Sequence, residues 1–225
     1  MGDPTWTILI PTIGQREALF RRLLDRLLPQ LDPYGGRVRV LSWWNNGEVR
    51  LWYIRDNLMA AAHHAGSEYI SFIDDDDLVP AYYVDEVVAA IANRPDHVGF
   101  RLEYWVDGRF GEMVDHSLRH RGWGRSKEAG LYRDISHVDP IRTELAVRSS
   151  FYVMRAGRAE DRVWVRGVRK HVKTETYIDK VMYYYLWRSQ GSAWIRPDLI
   201  KRHGFTRPAV DHPHFAWHPE SGGAA

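Results

Sequence analysis

Four consecutive carboxylates, Asp74-Asp75-Asp76-Asp77, follow the apolar, aromatic run Tyr69-Ile70-Ser71-Phe72-Ile73 and precede Leu78-Val79-Pro80. Adjacent like charges repel, so such a run is costly unless positive charge gathers beside it. Mg²⁺ and Mn²⁺ favour carboxylate oxygens and commonly take one or two of them together with substrate phosphates. The run therefore suggests a divalent cation with a phosphate-bearing ligand. The competing reading is a solvated acidic turn, or a helix N-terminus that welcomes Asp.

The elements around this run say where it sits. Thr7-Ile8-Leu9-Ile10 reads as a first strand ended by Pro11, with Thr12, Gly14 and Gln15 in the turn after it. Leu19, Phe20, Leu23, Leu24, Leu27, Leu28 and Leu31 recur at helical spacing. Residues 38–44 form a second strand closed by Asn45-Asn46-Gly47, residues 55–65 an Ala-rich helix, residues 69–73 a third strand and residues 81–93 a further helix. The order β-α-β-α-β-α predicts an α/β fold with a mostly parallel sheet and helices on both faces. In such a sheet the carboxylates stand at the carboxyl edge, where ligands bind. Residues 98–105 and 151–154 read as strands, 160–172 as helical and 175–188 as helical or mixed. Residues 106–136 read as a long loop, and the segment from 189 onward as loop-like. The organisation expected is one domain over residues 1–210, with a nucleotide half to about 105 and an acceptor half after it, then a flexible tail at 211–225.

The chain has 225 residues and 44% hydrophobic content, enough for one sizeable core. With no cysteine, disulfides, thiolate metal sites and a cysteine nucleophile are excluded. No basic-plus-apolar leader and no apolar run of membrane-spanning length is visible, so a soluble, cytoplasmic protein without membrane insertion is expected. Net charge is only +2, but acids crowd residues 74–115 and bases crowd residues 148–173. The basic half suits an anionic partner or, equally, a solvated helix face.

Several segments in order resemble the family 2 glycosyltransferases of GT-A fold, over roughly residues 5–195. Ile8-Leu9-Ile10-Pro11-Thr12 looks like the family's first strand and nucleotide-contacting turn. Arg55-Asp56-Asn57 looks like its Arg-Asn segment, Tyr69–Asp77 like its "DXD" strand, and His137-Val138-Asp139-Pro140-Ile141-Arg142 like its acceptor-side connection. Ala159-Glu160-Asp161-Arg162-Val163-Trp164 looks like its "ED" motif, and residues 183–192 like its aromatic C-terminal segment. The resemblance implies an inverting transfer of sugar from a nucleotide diphosphate, UDP favoured, with Mn²⁺ or Mg²⁺ as cofactor. It further implies that Asp74 and Asp75 contact ribose and uridine, that Asp76 binds the cation, and that Asp161 is the general base with Glu160 beside it. Pro11, Thr12, Arg55 and Asn57 fall on the donor side. The Glu160-Asp161 pair also suits a helix N-terminus.

Two departures from the family pattern stand out. Trp44-Asn45-Asn46-Gly47 replaces an acidic segment after the second strand; Asn45 and Asn46 can hydrogen-bond a base edge but carry no charge. Arg188-Ser189-Gln190 stands where relatives often carry a histidine. His203 is then a candidate late metal ligand, with Lys201 and Arg202 on the diphosphate, or else a surface histidine.

For the acceptor, Trp123, Arg125 and His137 are the candidates. Arg119, Arg121, Arg125, Lys127 and Arg133 interleave with Trp123 and Tyr132, a pattern that can track a phosphate backbone and stack on a base. A hydroxymethylated pyrimidine flipped out of DNA is one acceptor this suggests. A polysaccharide, a protein side chain and a small glycoside are the others. Two further classes keep the acid run, a different metal-dependent nucleotide enzyme and a non-catalytic nucleotide-binding module. No G-x-x-x-x-G-K-[ST] loop supports the former.

Overall fold

The computed structural model describes residues 2–127, 130–152, 160–189 and 207–219. Strand β1 (Trp6–Ile13) lies between β2 (Val38–Asn45) and β3 (Tyr69–Phe72), parallel to both. The crossovers carry α1 (Glu17–Leu27) and α2 (Leu51–His64). Side chains alternate across a strand, and β1 shows it. Trp6, Ile8 and Ile10 pack with Phe20, Leu23 and Leu27 of α1 and with Val84, Val87 and Ile91 of α3 (Tyr83–Ile91). Leu9 faces the other way, towards Ile54, Leu58 and Ala62 of α2. That second face is also covered by α4 (Thr143–Ala146) and by α5 (Glu160–Val168), which contributes Trp164, Val165 and Val168. Helices on both faces of a central sheet thus match the expected α/β architecture.

Beyond β3 the sheet is mixed, so the expectation of a mostly parallel sheet holds only in part. β4 (His97–Val106) turns back into β5 (Arg109–His116) as an antiparallel hairpin. Its two turn residues, Asp107 (φ 48°) and Gly108 (φ 76°), are both left-handed, the pairing a tight hairpin needs. β6 (Gly124–Ser126), β7 (Gly130–Arg133) and β8 (Ile141–Arg142) add antiparallel pairings, so most of the span expected as a loop is sheet.

β9 (Glu175–Trp187) is a 13-residue strand parallel to β4, where a helical or mixed segment was expected. Its β-branched and tyrosine-rich sequence fits a pleated surface better than a helix. Phe151 and Tyr152 are not strand, and the remainder of that expected strand lies outside the described residues. β10 (Phe215–Trp217), inside the segment expected as a flexible tail, pairs in parallel with β2, and Trp217 packs 5.6 Å from the Phe20 ring. Among the described residues the sheet runs β10-β2-β1-β3-β8-β4-β5-β7-β6, with β9 also on β4.

Candidate active site

Because β1, β2 and β3 are parallel, their carboxyl ends meet at one edge of the sheet, and the acid run leaves β3 there. Asp75 is tied across to the end of β1. The Thr12 hydroxyl donates to its Oδ2 at 2.8 Å, the Ile13 N–H to the same oxygen at 3.3 Å, and Arg16 Nη1 to Oδ1 at 2.7 Å. Asp77 is tied to β9: the Tyr183 hydroxyl donates to Oδ2 at 2.8 Å and the Leu186 N–H to Oδ1 at 2.7 Å. The same Tyr183 oxygen accepts the Asp74 N–H at 3.1 Å, and Leu78 bridges Tyr184. β9 therefore clasps the whole acidic loop.

Asp74 faces α2. Arg55 Nη2 donates to its Oδ1 at 2.9 Å, and His137 Nε2 lies 3.4 Å from Oδ2. Arg55 is 3% exposed, and its other amino group, Nη1, bonds Asp161 and lies 3.5 Å from Glu160 Oε1. One buried guanidinium therefore joins the acid run to the Glu160-Asp161 pair at the start of α5. The helix is anchored by Trp164, whose ring stacks on Phe151 at 4.9 Å and whose Nε1 donates to the Ala146 carbonyl at 3.2 Å.

These contacts set the charges. Burial opposes an ionised Asp74, but Arg55 and His137 override it and hold the group well below the usual carboxylate range. Burial pushes Asp75 up to about 6, partly countered by Arg16. Asp76 is raised by burial and by Asp74, and Asp77 is raised well above the usual range by burial, Asp74 and Asp76. Glu160 is raised, chiefly by burial. Burial works against the Arg55 and Arg16 charges, yet the surrounding carboxylates raise both.

An open cleft of about 210 Å³ lies over this edge, lined by Pro11, Thr12, Arg16, Asn45, Arg55, the four Asp residues and, from the end of β9, Tyr185 to Arg188. Pro11, Thr12, Arg55, Asp74, Asp75 and Asp76, the residues expected on the donor and metal side, thus line one cleft, with Glu160 and Asp161 one guanidinium away. Asn45 lines the cleft, but its side chain is committed to its own turn. Oδ1 accepts the N–H groups of Gly47, Glu48 and Val49, and Nδ2 donates to the Val49 carbonyl. Asn46 is half-buried, and its Oδ1 has no partner among the described residues. Asn57 turns back along α2 to the Tyr53 carbonyl at 2.8 Å and is not among the lining residues. His137 sits inside the Arg55 cluster rather than on a separate acceptor surface. Trp123 carries the guanidiniums of Arg133 (4.2 Å) and Arg162 (5.3 Å) on its ring, while Arg125 is exposed and pairs with Glu112 at 2.7 Å. Lys201, Arg202 and His203 lie outside the described residues.

Sequence reasoning missed Arg16, Tyr183 and Tyr185. Arg16 is three residues beyond β1, where a turn brings it back over the strand end. The tyrosines became legible only once residues 175–187 were seen to be a strand.

The carboxylates limit how a divalent ion is held. Asp75 and Asp77 each have both oxygens engaged by protein donors, and Asp74 is held by Arg55 on Oδ1 with His137 beside Oδ2. Asp76 is held only loosely, by Arg16 at 3.2 Å on Oδ1 and Arg188 at 3.9 Å on Oδ2. Among the described residues no group of three or more His, Cys, Asp or Glu surrounds a common point. The residues fit Mg²⁺ or Mn²⁺ as a single-carboxylate site on Asp76, completed by ligand phosphates.

Solved structures share this architecture. S. aureus TarS 1-349 in complex with UDP-GlcNAc matches with TM-score 0.60 at 17% identity, over 88% of this chain and 64% of that one. S. aureus TarS matches at 0.60 and 16%, over 81% and 37%. TarS 1-349 in complex with UDP matches at 0.58 and 17%, over 81% and 60%. This chain spans less than two thirds of the length of those chains, and at such identity the likeness speaks to the fold. No curated protein matches by sequence. The model of glycosyl transferase family 2 matches residues 25–152, more than half of the chain and the stretch that carries Arg55, the acid run and His137; the protein belongs to that family of glycosyltransferases.

Proposed function

We propose that this glycosyltransferase moves a sugar from a UDP-sugar to an acceptor hydroxyl with inversion at the anomeric carbon. The observation that carries the reading is the buried guanidinium of Arg55, which bonds Asp74 of the acid run and Asp161 of α5 at once. A donor loop and a candidate base are thereby held on either side of one point. The likeness to TarS, solved with UDP-GlcNAc and with UDP, supports a uridine donor.

In this reading Thr12, Asp74 and Asp75 meet the nucleoside at the β1 and β3 ends, the carboxylates through lone pairs that their protein donors leave free. Asp161 takes the proton from the acceptor hydroxyl, and the oxygen attacks the anomeric carbon from the face opposite the diphosphate. The bond from that carbon to the diphosphate oxygen breaks, and UDP leaves with the electron pair. Glu160 positions Asp161 and Arg55. Mg²⁺ or Mn²⁺ on Asp76, when bound, neutralises charge on the departing diphosphate. Asp77 is held on the β9 side, by the Tyr183 hydroxyl and the Leu186 N–H, and serves the loop rather than the ligand.

On the acceptor side, Trp123 with Arg133 and Arg162 forms an aromatic, cationic wall beside the start of α5. The guanidinium donors of that wall can hydrogen-bond the hydroxyls of a carbohydrate or glycoside acceptor. For a DNA acceptor carrying a hydroxymethylated pyrimidine, several of the expected phosphate contacts are already engaged. Arg119 pairs with Asp115, Arg125 with Glu112, and Arg133 lies over Trp123. Retardation of duplex DNA in a low-salt gel, lost as salt rises, would revive that acceptor.

The test of the donor reading is a thermal-shift panel of UDP, GDP, CDP and dTDP, each with and without Mn²⁺. A ligand bound only by the folded state raises Tm by mass action. A shift with UDP that grows with Mn²⁺ is expected; no shift with any nucleotide in a folded sample rejects the reading.

A further inference from the structure

The turn between β7 and β8 carries a buried histidine whose ring the transfer described above does not use. His137 is 5% exposed. Its backbone is pinned independently of its ring. The His137 carbonyl accepts the Phe72 N–H at 2.9 Å, and the Asp139 carboxylate accepts the Ser136 N–H at 2.6 Å. The ring lies between the acid run and the Glu160-Asp161 pair. Nε2 is 3.1 Å from Arg55 Nη2 and 3.4 Å from Asp74 Oδ2, and Nδ1 is 3.5 Å from Asp161 Oδ1. Nδ1 is buried and has no hydrogen-bond partner among the described residues. A buried polar atom in that condition is costly. Catalytic hydrogen bonds are often long or poorly aligned until substrate tightens the site.

The neighbours decide which ring nitrogen carries the proton. A guanidinium only donates, so in a neutral imidazole Arg55 Nη2 takes the lone pair of Nε2 and the proton sits on Nδ1. A charged imidazolium carries a proton on both nitrogens. In either state Nδ1 offers a proton on the Asp161 side. We propose that His137 is a positioning residue for Asp161, its Nδ1–H holding the carboxylate oxygen Oδ1. Arg55 Nη1 bonds the same oxygen. With both donors on Oδ1, Oδ2 is the oxygen that meets the acceptor hydroxyl and takes its proton. His137 itself neither gains nor loses a proton in the step. The inference rests on the reading of Asp161 as the base and names what orients it.

Long-range proton–nitrogen NMR on protein carrying nitrogen-labelled histidine, at about pH 8, reads the contact in the wild type. The His137 signals are identified by their loss in His137→Asn. A protonated Nδ1 whose shift moves in Asp161→Asn is expected. A bare Nδ1, or one indifferent to Asp161→Asn, overturns the proposal. Rates test the role, with turnover read as UDP release from UDP-GlcNAc. Counted in bonds from Cβ, the Asn amide nitrogen stands where Nδ1 does and the Gln amide where Nε2 does. His137→Gln is therefore expected to lower kcat about ten-fold with KM within about two-fold, and His137→Asn to keep most of the wild-type kcat. Tm confirms that both variants fold. Equal losses in the two variants, or no loss in either, overturn the positioning role, while UDP binding keeps the donor reading intact. A folded wild type that neither binds UDP nor releases it overturns the donor reading and the role of His137 with it.

Discussion

Asp161 and Arg55 show how little of a residue's task is visible from its type. Asp161 is one of 29 acidic residues, and what singles it out is its bond to a guanidinium that also holds Asp74. Replacing it with Asn keeps the shape and removes the proton acceptor. Asp161→Asn is therefore expected to lower turnover by at least ~100-fold with nucleotide affinity unchanged, as read by initial rates beside equilibrium binding. Arg55→Ala has a different expected signature. It leaves Asp74, Asp161 and Glu160 clustered with no cation between them, so both stability and turnover fall. Loss of one partner from a buried ion network costs about 3–5 kcal/mol, which a denaturant titration resolves. The acid run itself was legible in the sequence, yet its four members are not equivalent. Burial raises the pKa of Asp75, Asp76 and Asp77, whereas Arg55 and His137 override it at Asp74 and lower that one.

The elements that hold these residues converge on β4, β9 and a second buried charge cluster. Asp139 is fully buried; His116 Nδ1 donates to it at 2.7 Å, the Ser136 N–H at 2.6 Å, and His97 Nε2 lies at 3.1 Å. His97 also meets Glu175 at 3.1 Å, so the cluster ties β4, β5, β9 and the turn that presents His137. Burial opposes the His97 charge, but Asp139 and Glu175 outweigh it and raise its pKa to about 9. A histidine whose folded pKa is raised stabilises fully below its unfolded value and loses that contribution as pH rises through the folded value. The Tm of the wild type should accordingly fall between about pH 6.5 and 9, with on the order of 2 kcal/mol at stake, and His97→Gln should flatten that stretch of the profile. Gly99 lies in the same place. A Cβ there would stand 2.5 Å from the His116 carbonyl oxygen and 2.6 Å from Glu175 Oε1. Gly99→Ala should cost about 1–3 kcal/mol in chemical denaturation through this crowding.

Across the whole molecule, the carboxyl ends of β1 and β3 supply the cleft edge and the end of β9, the strand parallel to β4, supplies a facing wall. No helix among the described residues is long and apolar enough to cross a membrane. The last strand closes the parallel half: β10 lies on β2, and Trp217 packs on Phe20 and on Trp44. Trp217→Ala should lower global stability by about 2 kcal/mol, less than a fully buried tryptophan would, and calorimetry should show one transition if β10 belongs to the same cooperative unit.

The sequence by itself determined the strand–helix alternation to residue 91, the placing of the acid run at a strand end, and the family. Each follows from local signals: period-two and helical apolar spacing, Pro and Asn-Gly stops, and motifs in order. It also held the Asp107-Gly108 hairpin signal and the β-favouring composition of residues 175–187, both of which were outweighed by glycine content and by an ambiguous apolar pattern. The tertiary structure alone decided which carboxylate is free and which is tied, that Asn45 serves its own turn, and that Arg55 spans two motifs. Apart from the local Asn45 turn, those outcomes bring together groups 19 to 109 residues apart in the chain at one edge. Loop closure over such distances is set by the packing of the whole sheet, which no local pattern encodes.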